Sequence, residues 1–356
     1  MPIQRETPEA RQRPTYPKVA VLLGDPRLPD PSKREGRFHD EDIATRDAMK
    51  AAFASLPGYE LRYLDDHTTI LDDLRADPPQ FVVNFCDTGF RNDPFRELNL
   101  PAYLEMLGVP YSGAPPAAMV LAWDKSITRA LAALAGIAVP GEVSIGPDDD
   151  VAAALSDHFP AFVKPACADG SVGITKDAIV HDRREAERRV KAVQAELPGR
   201  AILVQEFLSG TEYGVGVIGN PRRDLIVLPP LEVDYDGLDP SLPRLLGFES
   251  KAMPHSPYWS QIRFREARLD ARTRAEIEAA STAMFERLGL RDYGRFDFRA
   301  DAHGKIKFIE CNPNPAWAND GKLAYMAGFA GIQYADMLRM ILEAAQARAA
   351  SERGIA

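Results

Sequence analysis

The stretch Gly294-Arg295-Phe296-Asp297-Phe298, followed by Phe308-Ile309-Glu310-Cys311-Asn312-Pro313-Asn314-Pro315, decides how this chain is read. Asp301-Ala302-His303-Gly304 between the two halves is a turn signal, so the spacing predicts two antiparallel strands joined as a hairpin. Strand side chains alternate faces. Arg295 and Asp297 then share one face, with Phe296 and Phe298 on the other. Glu310 and Asn312 likewise lie opposite Ile309 and Cys311. Asp297, Glu310 and Asn312 together form a set of hard oxygen donors, which suits Mg²⁺ held by a few carboxylates and phosphate oxygens. Arg295 beside them would hold a developing negative charge.

Two further segments upstream carry chemistry. In Phe162-Val163-Lys164-Pro165-Ala166-Cys167-Ala168-Asp169-Gly170-Ser171-Val172-Gly173, a strand runs into a loop of small residues with two glycines. Glycine lets backbone N–H groups approach an anion closely, and Lys164 adds a point charge for a phosphate. It is not a P-loop, because the Gly-Lys-Ser/Thr ending and the following helix are absent. The second segment is Val204-Gln205-Glu206-Phe207-Leu208-Ser209-Gly210-Thr211-Glu212-Tyr213. A strand leaves one lobe here and enters the next, so its backbone could meet a base edge and an acid could meet ribose hydroxyls.

Outward from these motifs the pattern is α/β. Val19–Gly24, Leu61–Leu64 and Phe81–Phe85 read as strands, with a helix between the first two whose Met49, Ala52, Phe53 and Leu56 fall on one face. That order implies a parallel sheet with crossover helices, whose ligands sit beyond the strands' carboxyl ends, near Gly24 and Asn84. Further on, Ile127–Leu134 and Lys191–Leu197 read as helices, and Ala161–Pro165 and Ala201–Val204 as strands. A helix over Ala271–Leu288 has Asp270 as its N-cap and Gly289 as its stop. Ile277, Met284, Phe285 and Leu288 line one side of it. A closing helix over Ala335–Ala347 buries Met337, Leu338, Ile341 and Leu342. The domain reading is a mobile tail over residues 1–16, an N-terminal domain over 17–121, a central lobe over 122–204 and a C-terminal lobe over 205–350.

The chain has 356 residues, and 43 basic against 52 acidic ones give a net charge of −9, which argues against nucleic acid or an anionic membrane as the main partner. No apolar run approaches the length of a membrane span, and the start lacks the apolar core of a secretory signal. The three cysteines are far apart, with no CxxC pair, so neither a zinc site nor a disulfide framework is expected. These features give the expectation of a cytoplasmic enzyme.

In this order, the three segments resemble the ATP-grasp superfamily, and within it the D-alanine–D-alanine ligase group. Pro101–Gly113 looks like the segment closing that family's first domain, and Ala122-Trp123-Asp124-Lys125 like the Asp-Lys that opens its central domain. The resemblance implies an N-terminal pre-ATP-grasp domain with a parallel sheet, followed by the two-lobed α+β ATP-grasp fold. It implies ATP and two Mg²⁺ ions, with Mn²⁺ as an alternative metal. Lys125 and Lys164 would contact phosphates, and the loop of Gly170, Ser171 and Gly173 would close over them. Gln205, Glu206 and Leu208 would receive adenine, and Glu212 the ribose. Asp297, Glu310 and Asn312 would hold the metals, while Arg295, Lys251 and Ser171 would act in catalysis. A carboxylate and an amine, both small molecules and in this group amino acids, would be joined as an amide through an acyl phosphate. A homodimer is the family's expectation.

The departures sit at the substrate end. The family's first strand leads to a Gly-Gly loop and a Glu that reads the first substrate's amine; here the loop is Gly24-Asp25-Pro26-Arg27, with no matching acid. The family's His-Gly-x-x-Gly-Glu-Asp-Gly is replaced by Asn84–Asp93, and its Tyr after the loop lysine by Ala252. Its Pro-Gly-Met-Thr becomes Pro315-Ala316-Trp317-Ala318, and the Ser-Leu that binds the second carboxylate becomes Gly321-Lys322. Lys322, Asn319 and Asp87 are therefore the candidate substrate residues. This pattern favours a ligase for another acid and amine, such as one attaching an amino acid to a specialised metabolite in the mycosporine manner, over D-alanyl-D-alanine synthesis. A non-catalytic nucleotide-binding protein would have lost the metal ligands or Arg295, and all are present.

Overall fold

A computed structural model describes residues 15–167, 176–247, 249–253 and 255–354, with the side chains of Lys176, Lys251 and Ala252 excepted. The N-terminal domain is built on β1 (Lys18–Leu22), β2 (Glu60–Leu64) and β3 (Phe81–Asn84), in the order β2-β1-β3 with both pairs parallel. Val19 to Leu23 are all buried, as expected of a parallel strand covered on both faces. A parallel pair needs a crossover, and α1 (Asp40–Ala54) supplies it, burying Met49 and Phe53. Asp40, Glu41 and Asp42 in its first turn suit the positive end of the helix. Tyr16 corrects the expected tail: it is 7% exposed, its ring stacks on Phe81 at 5.6 Å, and its carbonyl accepts from Gln346.

Helices α2 (Asn99–Leu107), α3 (Pro116–Trp123) and α4 (Lys125–Leu134) lead into the central sheet. Asp124 caps α4, its carboxylate accepting from the amides of Ser126 and Ile127. The sheet contains β4 (Glu142–Ile145), β5 (Ala161–Pro165), β6 (Ile179–Val180) and β7 (Ile202–Glu206), ordered β4-β7-β5-β6 and antiparallel throughout. Helix α5 (Arg183–Glu196) covers it with Ala186, Val190 and Val193. It begins well before the Lys191 expected from the sequence, because its first turns carry Arg and Glu rather than an apolar stripe.

The third sheet contains β8 (Glu212–Ile218), β9 (Ile226–Val227), β10 (Leu231–Asp234), β11 (Arg263–Glu266), β12 (Tyr293–Ala300) and β13 (Ile306–Asn312). Its order is β11-β10-β8-β12-β13, with β9 pairing off β8. Helix α6 (Ala271–Arg287) packs on it through Ile277, Met284 and Phe285. The Asp270 carboxylate accepts from the amides of Arg272 and Thr273, and Gly289 leaves the helix at φ +68°, so both end signals act as the sequence suggests. Helices α7 (Lys322–Phe329) and α8 (Tyr334–Glu352) follow. Met337, Leu338, Ile341 and Leu342 of α8 share one core with Val19, Val21, Met49 and Phe53, so the last helix joins the N-terminal sheet to the C-terminal lobe.

That joint has a polar centre. Asp292, fully buried at φ +69°, accepts from Arg348 Nε and Nη2, both at 2.9 Å, from the Gly113 amide at 2.9 Å and from Asn220 Nδ2 at 3.1 Å. Arg348 also donates to the Tyr111 carbonyl at 2.8 Å. Asp292 immediately precedes β12, so this network fixes where the site strand begins. No helix among the described residues is long and apolar enough to cross a membrane.

Candidate active site

The hairpin forms as expected, with Arg295 opposite Asn312, Phe296 opposite Cys311 and Asp297 opposite Glu310. Past Asp297 the register shifts, and Phe298 pairs with Phe308. Ile309 is thus the extra residue of a bulge. The expected alternation fails there: Phe308, rather than Ile309, joins Phe296, Phe298 and Cys311 in the core. Ile309 instead lines the cleft between the central and C-terminal sheets. Arg295, Asp297, Glu310 and Asn312 stay on one face.

Asp297 is 8% exposed, and its Oδ1 and Oδ2 accept from Arg295 Nε at 2.9 Å and Nη2 at 3.0 Å. Asn312 Nδ2 lies 3.4 Å from Asp297 Oδ2, and Lys125 Nζ 3.5 Å from Glu310 Oε2. Lys322 Nζ lies 3.4 Å from Glu212 Oε1 and 3.9 Å from Asp297 Oδ1. Lys164 is nearly fully buried at the cleft wall. Burial pushes its ammonium down to about 7; Arg129 and Lys125 add to the shift, and Glu310 and Glu142 oppose it. Four basic side chains therefore stand among three carboxylates, and Lys164 can take up a proton when an anion binds, an arrangement that favours an anionic guest.

Among the described residues, no three His, Cys, Asp or Glu side chains converge as a metal site. The donors at this face are two carboxylates and one amide. That set fits Mg²⁺, which commonly takes one or two carboxylates and completes its shell with water and substrate phosphates.

The far end of the cleft is apolar. Phe162 and Phe207 stack at 6.4 Å, and Leu208, Leu245 and Leu246 complete the wall. The Arg299 guanidinium lies over Phe207 at 5.4 Å. Glu206 is held by Lys307 Nζ at 2.6 and 2.8 Å and by the Gly141 amide. Gln205 lines the cleft, but its side-chain amide is committed to Glu142, which also accepts from Arg129. Glu212 accepts from the Tyr235 hydroxyl at 3.2 Å. Arg129, Glu142, Tyr235, Arg299 and Lys307 carry no local sequence signal, because each acts through a partner distant in the chain.

The sequence-predicted substrate residues do not gather into one place. Lys322 faces the acids of the cleft, Asn319 is exposed in the loop before α7, and Asp87 is half-buried after β3. Gly170, Ser171, Gly173 and the side chain of Lys251 lie outside the described residues. At the end of β1, Asp25 is fully buried and both carboxylate oxygens are engaged. Oδ1 accepts from the Arg27 amide and Nε, and Oδ2 from the His67 amide at 2.9 Å.

A parallel-sheet domain followed by two lobes that clasp a cationic, oxygen-lined cleft defines an ATP-grasp enzyme. The solved D-alanine–D-alanine ligase from Bacillus anthracis, complexed with ATP, has the same fold: its TM-score is 0.69 at 19% identity, covering 94% of this chain and 99% of that one. The family model described as D-ala D-ala ligase C-terminus matches residues 147–343, and the chain belongs to that family. It is an ATP-dependent ligase of the D-alanine–D-alanine ligase-like group. D-alanine–D-alanine ligase B of Chromobacterium violaceum is 27% identical over 329 residues, covering 92% of this chain and 97% of the relative. The D-alanine–D-alanine ligase of Dechloromonas aromatica is 29% identical over 244 residues, covering 68% and 74%.

Proposed function

We propose that the protein joins a small carboxylic acid other than D-alanine to an amine, through an acyl phosphate made at the expense of ATP. The observation that carries the ligase chemistry is the single β12–β13 face bearing Arg295, Asp297, Glu310 and Asn312 beside Lys125. The reading of the acid rests on Asp25, which is fully buried and already neutralised by Arg27, so that its carboxylate is not presented to a substrate ammonium.

In this reading adenine lies against Phe162, Phe207 and Leu208, and Glu212 accepts from the ribose. Lys125 and Lys164 hold phosphates. Asp297, Glu310 and Asn312 hold Mg²⁺, which when bound draws charge from the phosphate oxygens. The acid's carboxylate oxygen attacks the γ-phosphorus, and the bond to the bridging oxygen breaks with its electron pair leaving on ADP. The amine then attacks the acyl carbon. Arg295 pairs with the oxyanion that forms, which is strongest in a site closed to water. Phosphate leaves with the electrons of the C–O bond, and the nitrogen gives up a proton.

The experiment is a panel of carboxylic acids and amines supplied with ATP and Mg²⁺, read by phosphate release and product mass. Release is expected with an acid lacking a free α-amine. D-alanine as sole substrate, turned over to D-alanyl-D-alanine at a rate above every other pair, would overturn the reading of the acid and leave the ligase chemistry standing.

Lys164 gives the site a pH dependence. Its free-state pKa of about 7 leaves it largely neutral at pH 8, whereas a bound polyphosphate favours the ammonium. ADP binding should therefore take up close to one proton at pH 8. The affinity should fall as pH rises above 7, by up to about tenfold per unit. Calorimetry in buffers of differing ionisation enthalpy reads the uptake directly. Equal uncorrected enthalpies in all buffers at pH 8 would mean that no such proton moves.

A further inference from the structure

Lys322 stands where the second substrate's carboxylate would be expected to bind, yet its ammonium is turned elsewhere. It bridges Glu212 on β8 and Asp297 on β12, at 3.4 and 3.9 Å. The side chain is 14% exposed, so the placement is a packed one rather than a lysine waving in solvent. Glu212 is already served by the Tyr235 hydroxyl and lies 3.9 Å from Arg299, and Asp297 is gripped by both arms of Arg295. Neither acid depends on Lys322 for a partner. The lysine also begins α7, whose first turn holds no acid, and a cation there opposes the positive end of the helix dipole. Its position therefore works against the helix it starts, and it is the residue that takes the cluster from three basic side chains to four against three acids.

We propose that Lys322 is a nucleotide contact: its ammonium, preset between the acid for ribose and the acid for metal, pairs with the phosphate chain when a nucleoside diphosphate or triphosphate binds. This rests on the nucleotide reading given above. A phosphate chain lying between the Glu212 and Asp297 carboxylates would meet this ammonium, whose two contacts with those acids are long, at 3.4 and 3.9 Å. Lys322 then supplies charge from the C-terminal lobe, opposite Lys125 and Lys164 of the central lobe. No substrate carboxylate is required at this position.

Calorimetric titration of ADP into wild type, Lys322→Met and Lys322→Arg tests this, with thermal melts to verify folding. The methionine variant should lose about tenfold in ADP affinity, with and without Mg²⁺, as befits one charge-assisted hydrogen bond. The arginine variant should recover most of it. Adenosine, which lacks phosphate and is measured by competition, should bind both variants as it binds wild type. An unchanged ADP affinity in Lys322→Met, with or without a raised KM for the amine, would overturn the proposal; so would an equal loss for adenosine, which would mean a ribose contact. If wild type itself binds no ADP, the nucleotide reading fails and this inference with it, so the two failures are told apart by which protein shows them.

Discussion

Asp297→Asn is expected to reduce ATP turnover by at least ~10³-fold while the protein stays folded. The basis is the loss of a charge that works only when phosphoryl transfer is under way. Mutations of such electrostatic groups cost about 10²–10³ each, and here one carboxylate has two tasks. It supplies a metal oxygen together with Glu310, directly opposite on β13. It also orients Arg295, whose Nε and Nη2 both donate to it. Asparagine keeps the shape but offers only one acceptor oxygen, so Arg295 loses its two-pronged hold and the metal loses its anionic donor. ADP binding without metal should survive, since Lys125, Lys164 and the Phe162–Phe207 wall are untouched. Steady-state phosphate release and metal-free ADP titration separate the two effects. Turnover within tenfold of wild type would remove Asp297 from the reaction.

The largest loss of stability is expected at a residue far from the chemistry. Asp292→Ala should cost about 3–5 kcal/mol, the range found when one partner of a buried ion pair is removed. Arg348 would be left as a buried cation, and the Gly113 amide and Asn220 would lose their acceptor. The backbone adds to the loss, because alanine tolerates φ +69° less readily than aspartate does. The network ties Tyr111 and Gly113 of the N-terminal domain to α8 at the point where β12 begins. Softening it should also loosen the aim of Arg295, three residues on. Urea denaturation measures the change; a loss below 1 kcal/mol would mean that water replaces the missing carboxylate.

These two predictions mark where the sequence is legible and where it falls silent. Asp297 could be read because period-two alternation and a turn signal are local, and the hairpin they define is the site itself. Helix α6 could be read from Asp270 to Gly289 because caps are also local. The bulge at Ile309 left no trace, since one unpaired residue preserves the composition on both sides and only the partner strand reveals the shift. Asp292 and Arg348 carried no pattern at all, because their meeting depends on α8 crossing back to the N-terminal sheet. Lys322 was visible as a departure from the family, but its direction was not. A loop and a helix start decide whether its ammonium meets a substrate or the acids of the cleft. Tyr16 followed a run of polar residues and gave no sign of being core.

The central claim is that the substrate carboxylate itself takes the γ-phosphoryl group, and one isotope measurement bears on it most directly. The acid selected by the panel, labelled with ¹⁸O in its carboxylate, is turned over with ATP, Mg²⁺ and the amine, and the released phosphate is weighed. Attack by the carboxylate followed by amide formation transfers one carboxylate oxygen, so phosphate carrying a single ¹⁸O alongside ADP is the expected result. Unlabelled phosphate would mean that water rather than the acid receives the phosphoryl group, and label in AMP with release of pyrophosphate would mean an adenylate; either contradicts the account.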